Sequence, residues 1–320
     1  LATARPAIAG SLEEFDLAMN RQGFIGRRVL PVFNTQVQAG PFGKITIESL
    51  LKGGNTERAP GSRYNRGDWD FTADSYATKE QGWEEPVDDR EARMYADYFD
   101  AERVSTERAR NVVMQNAEKR IADSVFNATT WTGSLLTTGI TNEWDDPTNA
   151  IPIDDVEAAA RLVRANTGLW PNALIINRKV FRNLRNCDQI VERIQSAGAG
   201  FPTRPADITV AQLAAVFDLP NIIVAGGAYD SAKEGQSTVV AELWSDEYAM
   251  VARIAESRDI REPCLGRTFH WSEDGSLLDG MVESYRDETV RSEIIRCRHD
   301  VHEKILYPEC GHLLSNVTKI

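Results

Sequence analysis

The stretch LKGGNTERAPGSRYNRGDWDFTADSYATKEQGWEEP, residues 51–86, constrains this chain more than any other part of it. It is rich in glycine, charge and aromatic residues but has no periodic apolar face, so it cannot build a core of its own. Structureless stretches of this length are uncommon inside compact domains, and where they occur they are functional or disordered. Tyr64, Trp69, Phe71, Tyr76 and Trp83 are interleaved through it, whereas disordered segments are poor in aromatics. The loop therefore has to find its partner outside its own domain.

Its charge is distributed unevenly. From Lys44 to Arg66 there are five basic and two acidic residues, a net of +3; from Gly67 to Asp100 there are three basic and eleven acidic residues, a net of −8. We expect the basic tip of one copy, with Arg58, Arg63 and Arg66, to dock on the acidic base of another around Glu84 and Glu85. Trp69, Tyr76 and Trp83 are expected among the same inter-subunit contacts. The run also reads as a solvated charged face. Glu84, Glu85, Asp88 and Asp89 do not read as an acid–base pair, because acids at the start of a helix stabilise its dipole in any case.

Downstream, no Gly or Pro interrupts residues 88–127, and Val113, Ala117, Ile121 and Val125 recur every four residues, flanked by Val112 and Phe126. This spacing predicts one long helix of roughly 55–60 Å at 1.5 Å per residue. Upstream, residues 1–40 carry only isolated apolar anchors (Phe24, Ile25, Val29, Leu30, Val32 and Phe33) and one helical-looking piece, Ser11 to Met19. They form an arm that needs another surface. GKITIE then predicts a half-buried strand with Ile45 and Ile47 on one face.

A second region, residues 150–260, alternates strands and helices. Asp154 and Asp155 are expected to cap a helix that runs to Ala165 and stops at Gly168. Ala173 to Ile176 reads as a buried strand, and Arg178 to Leu184 and Thr209 to Phe217 as helices. NIIVAGG, STVVAELW and YAMVARI read as strands. Beyond residue 265, MVESYRD, TVRSEIIRCR and HEKILY read as strands joined by short turns.

Bulk properties exclude several classes. The balance of 36 basic against 48 acidic residues, −12 overall, disfavours a protein that grips nucleic acid by neutralising phosphates. The longest apolar runs are too short for a membrane span, and the N-terminal sequence has no apolar core of the kind a signal peptide needs. Cys187, Cys264, Cys297 and Cys310 form no CxxC pair, which argues against a disulfide framework.

Few motifs point to chemistry. The turn Asn177-Arg178-Lys179 has no glycine to let backbone N–H groups cradle a phosphate. AGGAYDSAKEGQS follows a strand but leads into another strand, so it reads as a hairpin loop and not a nucleotide site. Cys297, His299, His302, Cys310 and His312 lie within sixteen residues and are ligand types that zinc favours. They lack a tight knuckle, and a hairpin with incidental Cys and His accounts for them; a metal-dependent enzyme built on this cluster is the alternative from another class. No catalytic or cofactor-binding residue is assigned.

The order of these parts resembles that of the major capsid proteins of tailed bacteriophages, the Hong Kong ninety-seven fold. The resemblance is carried by FIGRRVLPVFN, ERAPGSRYNR, SYATKEQGWEEPV, ARNVVMQNAEKRIADSVF, TGLWPNALIINRKVFRNLR and VRSEIIRCRHDVHEKILYPECGHLLSNV. It implies an α+β capsid fold: an N-terminal arm (1–40), an extended β loop (41–86), a peripheral domain (87–149 and 261–320) with a spine helix at 88–127, and an α/β axial domain (150–260). It also implies a structural protein without cofactors. Copies would assemble as pentamers and hexamers into an icosahedral virion shell around double-stranded DNA, without specific binding to it and without a membrane, served by scaffolding, portal and decoration proteins. Gly53, Gly54, Gly61 and Gly67 would let the loop differ between pentamers and hexamers. Lys44, Lys52 and Lys79 lie in the loop, but no complete lysine–asparagine cross-linking set can be matched. An encapsulin-type nanocompartment shell of the same fold is the nearest alternative.

Overall fold

The computed structural model describes residues 21, 23–67, 71–96, 100–196, 208–273 and 278–319. A single-turn helix, α1 (Gly26–Val29), leads into β1 (Val32–Thr35) and β2 (Ala39–Ile45); α2 (Ile47–Leu51), β3 (Phe71–Ala77) and β4 (Lys79–Asp88) follow. Next come α3 (Asp89–Tyr95), α4 (Ala101–Val125), β5 (Leu136–Thr137), α5 (Pro152–Thr167), β6 (Ala173–Asn177), α6 (Arg178–Asn186), α7 (Asp188–Ser196) and α8 (Val210–Phe217). The chain ends with β7 (Asn221–Ala225), β8 (Ala228–Asp230), β9 (Val240–Glu242), β10 (Tyr248–Ala252), β11 (Gly266–Trp271), β12 (Met281–Asp287), β13 (Ser292–Ile305) and β14 (Gly311–Ser315).

Among the described residues, two five-stranded sheets carry the fold. The first runs β1-β11-β13-β12, with β4 on the other side of β13; the second runs β5-β14-β10-β6-β7. In the second, side chains alternate between two cores, as a period of two requires. Leu174, Ile176, Ala249 and Val251 face α5 to α8, while Ala173, Ile175, Met250 and Ala252 face α1 and the end of α4. Burial on both faces explains the uninterrupted apolar run of β6. α6 adds Val180, Phe181 and Leu184 to the first of these cores, each contributing about 1.5–3 kcal/mol by leaving water.

Several elements differ from the sequence expectations. The single helix over 88–127 is two helices: Asp88 caps α3 through the N–H groups of Arg90 and Glu91, and Asp100 caps α4 through those of Glu102 and Arg103. Each carboxylate satisfies otherwise orphaned N–H donors, so a second helix start is built within an unpunctuated sequence. α4, with 25 residues, is then about 37 Å long. Asp154 and Asp155 lie within the first turn of α5 and do not cap it; Pro152 opens that helix, and Asp155 accepts from the indole of Trp144 at 2.9 Å. Gly168 does end α5, at φ 72°.

The expected strands TVRSEIIRCR and HEKILY are one strand, β13, because β4 pairs with it continuously from Ser292 to Val301 and holds it straight through Arg298-His299-Asp300. GKITIE is strand only to Ile45; Ile47 starts α2, whose turn is closed by the Thr46 hydroxyl. Residues 71–77 and 79–86 of the supposedly structureless loop are strand, hidden from pattern reading because β3 covers its inward positions, Asp74 and Tyr76, only partly. STVVAELW keeps only three strand residues, which pair with β8 as a small hairpin. The helix expected at Ser11 to Met19 lies outside the described residues.

α4 ties the two halves together. Ala109 and Val113 pack on Cys297 of the first sheet, and Ile121, Ala122 and Val125 join the core under the second. Between them, Glu118 accepts hydrogen bonds from the backbone N–H groups of Ile25 (2.7 Å) and Gly26 (2.8 Å). Burial pushes its carboxyl above the ordinary carboxylate range, although these donors pull the other way.

Candidate assembly interface

The conspicuous surface feature is the β2–β3 hairpin. Its antiparallel register runs from Ala39 opposite Ala77 to Ile45 opposite Phe71, and the connection between the strands holds α2 and then residues 52–67, which form no regular element and are exposed throughout. An isolated two-stranded ribbon is marginal in water, so its root must be held. Tyr76 stacks on Phe269 with centroids 4.7 Å apart and planes 3° from parallel; Phe42 and Phe33 each come within 5.9 Å of the same ring. Lys304 donates to Asp74 and to the Ser75 carbonyl. Burial alone would raise the Asp74 pKa, but the Lys304 ammonium and the Ser75 N–H overcome it and hold the carboxyl below its ordinary value. Lys44 donates to the Leu306 carbonyl and lies 4.3 Å from the Tyr307 ring centroid.

Beyond this clamp the tip stands clear of the body. The Arg58 guanidinium lies 4.7 Å from the Tyr64 ring centroid and donates to the Ser62 carbonyl, and Asn65 bridges back to the Asn55 carbonyl at 2.8 Å. Gly61 turns the chain at φ 82°, a conformation that favours glycine. Tyr64 is 72% exposed. Arg58, Arg63 and Arg66 are exposed, and among the described residues no ion pair is found for them. The tip thus presents guanidiniums without an ion-pair partner among the described residues, and an exposed aromatic ring, residue types enriched at protein interfaces.

The acidic base is arranged differently from its sequence reading. Register places Glu84 opposite Arg296, and the two pair at 2.6 Å, while the Tyr285 hydroxyl also donates to Glu84. Glu85 accepts from the Trp83 indole at 2.8 Å and lies 3.7 Å from Arg108 of α4. Asp89 takes both terminal nitrogens of Arg286, at 2.5 and 2.7 Å. Of the residues expected as contacts, Tyr76 is therefore turned inward onto Phe269, and Glu84 and Glu85 have partners within the chain. Trp83 remains 47% exposed beside a shallow depression lined by Glu80, Gly82, Glu84, Arg296 and Arg298. Trp69 lies outside the described residues.

The Cys/His group is dispersed. Cys297 faces α4. Ala77 donates its N–H to His302. His312 belongs to the second sheet, where Nδ1 donates to the Ser134 carbonyl at 3.0 Å and Nε2 accepts from Thr137 at 2.8 Å. Burial pushes the Cys310 thiol up to about 12, helped by Cys264 nearby, which keeps it from the thiolate form that ligates metal. Among the described residues, no three His, Cys, Asp or Glu side chains are placed to hold a metal ion. No described helix is long and apolar enough to cross a membrane.

A clamped hairpin with an exposed tip, a long helix spanning two sheets and a compact α/β unit together define a class: the tailed-phage major capsid fold. The chain is 25% identical over 297 residues to the major capsid protein of Burkholderia phage BcepMu, covering 92% of this chain and 91% of that one. Its fold matches a phage-related protein from Bordetella bronchiseptica RB50, with TM-score 0.67, 20% identity and coverage of 94% and 96% of the two chains. It also matches a subunit in the capsid of cyanophage P-SCSP1u, with TM-score 0.56, 12% identity and coverage of 90% and 86%. No family model matches the chain.

Proposed function

We propose that this chain is the major capsid protein of a tailed phage, a structural subunit that assembles in many copies into an icosahedral shell around double-stranded DNA. The observation that carries this reading is similarity to a phage major capsid protein along nearly the whole of both chains, joined to the same fold in solved capsid subunits. The first sheet with α4 serves as the peripheral domain. The second sheet serves as the axial domain around five-fold and six-fold centres, with β14 built into it. The tip of the loop of residues 41–86 overlaps neighbouring copies, whereas the arm from Phe24 to Thr35 packs on the chain's own two sheets. Scaffolding, portal and decoration proteins are the further partners this role calls for.

The loop supports the mechanism physically. Its root is fixed to the body by aromatic stacking and two lysines, so its direction is set before assembly, while the tip keeps exposed groups for a neighbour. Heterologous contacts of this kind, repeated and closed by symmetry, build a shell from modest interfaces. Electron microscopy of the expressed chain tests the reading. Closed particles are expected, and nucleic acid inside phage-derived particles separates a genome shell from an encapsulin-type compartment. A chain that stays monomeric at high concentration under all assembly conditions overturns it.

A further inference from the structure

Strands β8 and β9 form a ribbon that belongs to neither large sheet. They pair Ala228 with Glu242, Tyr229 with Ala241 and Asp230 with Val240. A two-stranded ribbon is marginal in water, and this one is braced from below. Lys119 of α4 lies 4.5 Å from the Tyr229 ring centroid, and Gln115 donates to the Ala228 carbonyl at 2.9 Å. The connecting loop is fastened by Asp230, whose carboxylate accepts the N–H groups of Ala232 and Val239, both at 2.9 Å. The ribbon is thus fixed in shape and direction.

Its outer side carries the wrong residues for water. Thr238, Val239 and Val240 are consecutive β-branched residues, the type that fits a pleated, half-buried surface. Val239 is 56% and Val240 74% exposed. Successive side chains of a strand point to opposite faces, so neither face of β9 is covered here. Its outer edge pairs with no strand among the described residues. Ser231 donates to the Val239 carbonyl at 2.9 Å and Leu243 to the Gly227 carbonyl at 3.0 Å, which turns the backbone of Val239, Ala241 and Leu243 towards β8. Alternation then aims the N–H and C=O groups of Val240 and Glu242 outward, with Thr238 next in the same phase. Natural sheets blunt such edges with Lys or Pro; residues 237–242 hold neither.

An open edge accepts another strand by backbone pairing, and the strand that fits is a second β9. Two such edges can meet antiparallel about a two-fold axis at Val240. Val240 then lies opposite Val240, Thr238 opposite Glu242 and Val239 opposite Ala241. Outward-facing positions meet outward-facing positions, so the hydrogen-bond phase is kept. The strand's one charged side chain, Glu242, faces a threonine hydroxyl and not its own copy, so no like charges oppose each other. The pairing also carries the exposed Lys233 in the turn of one copy towards the exposed Glu242 of the other, and no ion pair is found for either among the described residues. We infer that β9 is a self-complementary contact, through which two copies join their ribbons into a four-stranded sheet across a two-fold axis. The inference rests on the shell reading for its supply of second copies, and it adds an isologous contact to the heterologous ones.

The test is cysteine cross-linking in assembled particles. A copper–phenanthroline oxidant takes two electrons from each pair of thiols, and two protons leave, as the S–S bond forms. The native cysteines are buried. Hydrogen-bonded antiparallel pairs hold their Cα atoms about 5.5 Å apart, inside the range of about 4.4–6.8 Å that a disulfide spans. Val240→Cys should therefore convert to covalent dimer. Thr238→Cys should stay monomeric, because it lies opposite Glu242, and Thr238→Cys/Glu242→Cys should convert again. Particles of normal yield in which Val240→Cys gives no dimer overturn the inference and leave the shell reading standing. Dimer from Thr238→Cys as readily as from Val240→Cys also overturns it, because the register is then wrong. If the wild type forms no particles the shell reading ends, and the same three variants, oxidised at high concentration, decide this inference by the same outcomes.

Discussion

The indole N–H of Trp244 donates to Glu118 Oε1 at 2.7 Å, joining the β9–β10 connection to the middle of α4. The same carboxylate receives the N–H groups of Ile25 and Gly26, so one buried side chain gathers the N-terminal segment, the long helix and the second sheet. Glu118→Ala would strand all three donors away from water, and an unmet buried donor costs about 1–3 kcal/mol. We expect a loss of about 3–5 kcal/mol in unfolding free energy, read as a lower urea midpoint of the unassembled chain. Glu118→Gln, which keeps one acceptor oxygen, should fall between the two.

His299 predicts an acid-sensitive limb of stability. The residue is 1% exposed and its Nδ1 donates to the Leu278 carbonyl. Burial lowers its pKa to about 4, with Arg120 and Arg27 acting in the same direction and the Leu278 contact and Glu303 opposing them. The unfolded chain takes up this proton near pH 6.5, whereas the folded one resists it until about pH 4. The stabilisation is therefore complete above about pH 6.5 and lost as pH falls through that window, amounting at most to about 3 kcal/mol. His299→Gln should unfold with a flatter dependence between pH 6.5 and 4 than the wild type; parallel curves would remove His299 as the cause.

Gly266 sits where β11 meets the end of β13. A Cβ there would lie 2.4 Å from the Lys304 carbonyl oxygen and 2.9 Å from the Ile305 Cα, both backbone atoms of a paired strand that cannot move aside without breaking the register of Gly266 with Ile305. Gly266→Ala should cost about 2–4 kcal/mol by forcing these strands apart. Gly53→Ala, which meets nothing within 4 Å, should change the unfolding midpoint little.

The contrast between what could and could not be read from the sequence has a physical basis. β6, α6, α8 and β10 were legible because each buries a regular face and carries its own punctuation, such as Asn177 and Thr209 at helix starts. The break between α3 and α4 was not, because Asp100 is one acid among many in a mixed-charge run and its capping role appears only in three dimensions. The loop was legible as having no core of its own, but Tyr76, Glu84 and Glu85 read as outward-facing because sequence does not show that Phe269, Arg296 and Arg108 lie across from them. Glu118 was overlooked, although an acid three and four residues before Ile121 and Ala122, on the apolar stripe of a helix, was a visible signal.

The hairpin tip gives the sharpest separation between folding and assembly. Residues 52–67 contribute no side chain to the buried cores, and the clamp of Tyr76, Phe42, Lys44 and Lys304 lies wholly outside them. Replacing 52–67 with a short Gly-Ser turn also shortens a loop, which favours the folded chain by only a fraction of a kcal/mol, since doubling a loop costs about 0.6 kcal/mol. The shortened chain should therefore melt within a few degrees of the wild type while its particle yield collapses. Charge reversal of Arg58, Arg63 and Arg66 to Glu should reproduce the assembly defect in part, and more so at low salt, where like-charge repulsion from acidic neighbours is least screened. Normal particles from the shortened chain would show that the tip is dispensable and that the arm and long helix carry the contacts between copies.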